Sequence, residues 1–111
     1  MLLDKKNLFA NIPELLSQES FETLLTRDGI RLERIISHGH TTPAGEWYDQ
    51  PWDEWVVLLS GSASLQFEGE EPLQLIPGDY LFIPARCRHR VEATDKQVKS
   101  VWLALHLNQD V

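Results

Sequence analysis

A chain of 111 residues is long enough for one hydrophobic core and too short for two. Its formal charge of −7 argues against a nucleic-acid surface or an anionic membrane as partner, and no apolar stretch approaches the roughly 20 residues a membrane-spanning helix needs. The single cysteine, Cys87, excludes an intrachain disulfide. The opening Met-Leu-Leu-Asp-Lys-Lys lacks the order of a signal peptide, so the expected location is a reducing cytoplasm.

Taken in order, the chain begins with scattered apolar residues, among them Leu8, Phe9, Ile12, Leu15 and Leu16. Residues 1–20 read as an arm that packs on the main domain or on a second subunit. Asp28-Gly29 then separates residues 21–27 from residues 30–37, a strong signal for a two-residue hairpin. Glu and Leu in 19–25 offer a competing helix. The near-alternation of Ile30, Leu32, Arg34 and Ile36 with Arg31 and Glu33 favours strands. Residues 38–45 carry Gly39, Pro43 and Gly45 and read as a loop or bent strand.

A polar and aromatic segment, 47–53, runs into Glu54 and then into the apolar run 55–59, which ends at Ser60-Gly61. That run is short, rich in Trp and Val, and reads as a buried strand. Strand alternation puts Glu54, Val56 and Leu58 on one face and Trp55, Val57 and Leu59 on the other. A carboxylate opening an apolar strand needs a partner: a cation, a metal, or water at the rim. Further strands are predicted over 62–68, 73–76, 80–83, 88–93 and 98–107, with Gly or Pro turns between them. On the last, Trp102, Ala104 and His106 share a face. Many short strands with almost no helix predict a sandwich or small barrel over residues 21–111.

Two stretches resemble the motifs of the cupin superfamily. Glu54, six residues, then Gly61 is similar to the end of the first cupin motif. Gly78, five residues, Pro84, then His89 is similar to the second. The resemblance implies an all-β fold: a single cupin double-stranded β-helix, or jelly-roll barrel, here carrying the N-terminal arm. It also implies a cavity in which His, His, Glu and His hold a divalent metal, zinc, iron, nickel or manganese being suited to such ligands. Glu54 and His89 carry over residue by residue. The His-x-His pair that should precede Glu54 falls on Trp47 and Asp49, or on Tyr48 and Gln50, depending on the spacing used. Arg86 and Ala93 also depart from the second motif. Asp49 or Gln50 is therefore the candidate oxygen ligand, and His40 or His106 the candidate further nitrogen. His38-Gly39-His40 spells His-x-His but lies upstream of the usual register.

The resemblance implies a small-molecule ligand or substrate, and a homodimer, as small cupins commonly pair. Two readings follow: a small metal-dependent enzyme acting on a small polar molecule, or a binding module with no metal or an optional one. No nucleotide-binding glycine loop and no Gly-x-Ser-x-Gly is present. Cys87, between Arg86 and Arg88, reads as a small buried thiol in a turn. Arg88 and Arg90 are expected to face outward if His89 faces in. Of Trp47 and Tyr48, neighbours on an extended segment, only one can point inward.

Overall fold

The computed structural model describes residues 3–108; residues 1–2 of the arm and 109–111 of the barrel lie outside the described residues. Strands β1 (Ser20–Arg27) and β2 (Ile30–Ser37) form the hairpin that Asp28-Gly29 predicts, with Arg27 opposite Ile30 and Gly29 at φ 73°. Only the second turn residue, Gly29, is left-handed, a conformation glycine supplies without strain. The helical alternative over 19–25 is not adopted. Pairing from Ser20 opposite Ile36 onward outweighs the helix propensity of Glu and Leu, with a register shift between Thr23 and Leu25.

The remaining strands are β3 (Asp53–Ser60), β4 (Ala63–Phe67), β5 (Leu73–Leu75), β6 (Tyr80–Ile83), β7 (His89–Thr94) and β8 (Ser100–Leu107). They form two antiparallel sheets, one ordered β1-β2-β8-β3-β6 and the other β5-β4-β7. Among the described residues there is no helix, and the architecture is a jelly-roll barrel. The face that Val56 and Leu58 share, and the one that Trp102 and Ala104 share, turn inward. Val56, Leu58, Leu65, Ile83, Trp102 and Ala104 belong to one buried cluster between the sheets.

Gly61 carries the chain from β3 to β4 where it nearly touches β8. A Cβ placed there would lie 2.6 Å from Ser100 Cα and 2.9 Å from the Lys99 carbonyl oxygen, so no larger residue fits. Part of the arm lies against its own barrel: Arg34 donates to the carbonyl oxygens of Leu8 and Ala10 at 3.0 and 2.6 Å. The far face of the larger sheet is apolar where β8, β3 and β6 meet, while Arg34 and Glu22 pair on it at the β1–β2 side. Cross-strand register sets Trp55 beside Phe82 and Leu105, and Val57 beside Tyr80 and Leu103. Tyr80 and Phe82, on edge strand β6, are 65% and 57% exposed.

Candidate functional site

Between the two sheets an open cavity of about 560 Å³, its mouth included, is lined on one side by β2, β3 and β8 and on the other by β7. The aliphatic part of its wall is Ile35, Val56, Leu65, Ile83 and Val91; Phe21, Tyr48 and Trp102 supply aromatic surface. Its polar lining is Glu19, Glu33, Gln50, Glu54, His89 and His106. Glu54 reaches this cavity because it opens β3 on the same face as Val56. His106 lies directly opposite it on β8. His89 opens β7 in the other sheet, so Glu54 and His89 line the cavity from its two sides.

The segment before Glu54 is positioned by backbone pairing with β7. Tyr48 N–H donates to His89 O at 2.7 Å and His89 N–H to Tyr48 O at 3.1 Å, an isolated antiparallel bridge. Arg86 N–H donates to Gln50 O at 2.8 Å. With the backbone held this way, alternation turns Tyr48 and Gln50 into the cavity. These two residues stand in the three-residue register for the missing His-x-His pair. Trp47 takes the other direction, with Arg88 over its ring at 5.6 Å. Asp49 does not line the cavity and instead meets Arg86 at 3.4 Å, where both side chains are well exposed. Arg88 and Arg90 face away from the cavity, paired with Glu68 and Glu92.

His40 is not at the cavity either. Its carbonyl oxygen accepts from Thr94 Oγ1, and its Nδ1 accepts from the His38 N–H at 2.9 Å. Thr94 ends the strand that His89 begins, and five residues of strand span ~17 Å, so His38 and His40 belong to the far end of the barrel.

Hydrogen bonding sets the state of the two cavity histidines. Trp52 Nε1–H donates to His106 Nδ1 at 2.9 Å. An indole nitrogen can only donate, so Nδ1 is bare and Nε2 carries the proton. That N–H points at Glu33 Oε1, 2.7 Å away, in a buried contact, and the other Glu33 oxygen meets Arg31 at 3.4 Å. Both nitrogens of His106 are thus used. His89 has Nδ1 2.8 Å from the carbonyl oxygen of Cys87. A carbonyl can only accept, so Nδ1 is protonated and the neutral ring keeps a bare Nε2. Tyr48 stacks on this ring at 5.5 Å between centroids, and Phe67 packs beside it at 5.7 Å. Gln50 Nε2 donates to Glu54 Oε1 at 2.8 Å. Burial, and then the charges of Glu19, Glu54, Glu33 and Glu46, push the Tyr48 phenol above its ordinary value, so the side chain stays a neutral hydrogen-bond donor.

Sequence reasoning missed Glu33 and Glu19 as cavity residues and Trp52 as the group that orients His106. The alternation of Glu33 with apolar neighbours on β2 was the available signal for the first. Nothing local points to the other two.

The profile of the cupin domain family Cupin_2 matches residues 33–106, the stretch that contains every strand from β3 to β7, most of β8 and the second half of β2. The chain is a cupin. A search of curated proteins found no match. Among solved structures, this cupin is similar to a candidate mannose-6-phosphate isomerase from Ralstonia eutropha JMP134, with 48% identity over 96% of this chain and 99% of that one and a TM-score of 0.92. A cupin superfamily protein from Desulfitobacterium hafniense DCB-2 shares the fold at 19% identity, covering 96% of this chain and 94% of its own, with a TM-score of 0.75. The DMSP lyase of Ruegeria pomeroyi DSS-3 also shares it, at 20% identity and a TM-score of 0.69, over 94% of this chain and 54% of the lyase.

Cupin membership raises the divalent metal as a specific question for this cavity. The donors present do not fit one. Among the described residues no three His, Cys, Asp or Glu side chains are grouped to hold a metal ion. His106 has no free lone pair, and His40 and Asp49 lie elsewhere. Of the donors the sequence pointed to, Glu54, His89 and the amide of Gln50 remain, and the Gln50 nitrogen already points at Glu54; of the other lining carboxylates, Glu33 is matched by His106 and Arg31, and Glu19 accepts from Ser37.

Proposed function

We propose that this cupin is a metal-independent module that binds a small polar molecule in its barrel cavity. The observation that carries this reading is the hydrogen bonding of His106, whose two nitrogens are committed to Trp52 and Glu33. The polar groups left facing the cavity, among them His89 Nε2, Glu54 Oε2, the Tyr48 hydroxyl, the Glu19 carboxylate and the Trp102 indole N–H, make a recognition surface rather than a coordination sphere. Few, well-oriented polar groups set in an apolar and aromatic wall are what small-ligand sites use. The test is the metal content of protein purified without a chelating tag, together with ligand-induced thermal shifts before and after EDTA. Metal well below one ion per chain, and shifts that EDTA leaves unchanged, are expected. Stoichiometric metal, or shifts abolished by EDTA, overturns the reading.

A second reading, an isomerase, is supported by the resemblance to the Ralstonia protein and by the two proton acceptors, His89 Nε2 and Glu54 Oε2, that line the same cavity. Moving a proton between adjacent carbons needs such a base. Incubating the protein with mannose 6-phosphate in deuterated water tests it: solvent deuterium at a ring-opened carbon, lost in His89→Ala, is the result this reading requires.

For assembly we propose a homodimer formed through the apolar face around Trp55, Tyr80 and Phe82. The same uncharged surface on both copies suits a two-fold contact, and the contact would cover the open edge at β6.

A further inference from the structure

On the reading that the cavity binds a small molecule without a metal, we infer that its ligand is a small organic cation, an amine or quaternary ammonium that also carries a hydrogen-bond-accepting oxygen. Three carboxylates line the cavity, those of Glu19, Glu33 and Glu54, and no Lys or Arg does. Glu33 is already matched, by His106 and Arg31. Glu54 and Glu19 form no ion pair among the described residues. Glu54 is only 8% exposed, and its one hydrogen-bond partner, Gln50, is neutral and reaches a single oxygen, Oε1. Glu19 likewise has only a hydroxyl, that of Ser37, on its Oε2. A buried carboxylate without a cation is costly, and a cationic ligand removes that cost on binding.

A second observation is independent of the carboxylates. Trp102 is 4% exposed and lies on the cavity wall, and its indole N–H has no acceptor. A buried donor left unpaired is complemented by an oxygen on the ligand. Trp102, Tyr48 and Phe21 together give the cavity aromatic surface of the kind that attracts ammonium groups. The same lining is unsuited to a phosphate ester, which Arg, Lys or a helix N-terminus would normally hold. None of these lines the cavity, so the ligand differs in charge from the sugar phosphate in the Ralstonia protein's name.

Isothermal titration of the metal-free 111-residue chain with choline, ethanolamine, mannose and mannose 6-phosphate tests this. Choline or ethanolamine is expected to bind saturably, and mannose 6-phosphate to give no heat. Loss of the charge in Glu54→Gln is expected to weaken the cation by about tenfold or more, since hydrogen bonds to charged groups are the stronger kind. Glu19→Gln, at a half-buried position, serves as the second variant should Glu54→Gln fail to fold. Silence from both cations, tighter binding of mannose 6-phosphate, or cation binding unchanged in the carboxylate variants overturns the inference. Binding of mannose alone would also overturn it while leaving the metal-independent reading intact. Binding of any probe that appears only after zinc loading would instead overturn that reading.

Discussion

Replacing His106 with alanine separates a structural hub from a metal ligand. The ring is buried, its Nε2–H lies 2.7 Å from Glu33 Oε1, and its Nδ1 accepts from Trp52 at 2.9 Å. Breaking a buried polar pair by removing one partner costs about 3–5 kcal/mol when the survivor is left alone. Glu33 is not left alone, because its other oxygen keeps Arg31 at 3.4 Å, so this part of the loss falls to about 2 kcal/mol. The stranded indole N–H of Trp52, half-buried, adds about 1 kcal/mol. The total is about 3 kcal/mol, and at about 4 °C per kcal/mol for a domain of this size the midpoint should fall by about 12 °C. Trp52→Phe keeps the ring packing and removes one neutral bond, so it should cost about 1 kcal/mol. Both are measured by thermal and urea unfolding, followed by circular dichroism, on EDTA-treated protein. If His106→Ala is neutral in EDTA and destabilising only when a divalent metal is present, the ring is a metal ligand and the hydrogen-bond argument is wrong.

Two glycines with the same backbone twist should respond differently. Gly61 and Gly69 sit at φ +80° and +83°, but only Gly61 faces the backbone of β8. Gly61→Ala should cost about 3 kcal/mol or more and Gly69→Ala about 1 kcal/mol, and equal losses in urea unfolding would show that space does not decide the matter. Tyr48, followed by tyrosinate absorbance in a Tyr80→Phe background, should ionise above the ordinary value of about 10, with Glu54→Gln moving the midpoint down. Its folded pKa lies above the unfolded one, so its contribution to stability is intact below pH ~10 and is lost as pH rises through the folded value; a midpoint unmoved by Glu54→Gln refutes the assignment of charge. Light scattering should find a dimer for the natural chain and a monomer for Phe82→Glu, and a monomeric natural chain at high concentration would rule out the proposed contact.

Alternation alone was enough to group Glu54 with Val56, and Trp102 with His106, on shared faces, because a pleated strand turns successive side chains to opposite sides whatever it pairs with. Asp28-Gly29 specified its hairpin for a similar local reason: a glycine at the second turn residue takes the left-handed conformation at which the chain reverses. The spacing from Gly78 through Pro84 to His89 marked the start of β7. Long-range pairing decided the rest. Tyr48 and Gln50 face the cavity, and Trp47 and Asp49 do not, because a backbone bridge joins Tyr48 to His89 across forty-one positions of chain. His40 was a candidate ligand through the resemblance to the cupin motif, and the structure places it beside Thr94, away from the cavity. The sequence names His106 as a histidine on an inward face. Only the packing of Trp52 and Glu33 around it decides that both its nitrogens are taken, since a side chain's free lone pairs depend on neighbours that local periodicity does not choose.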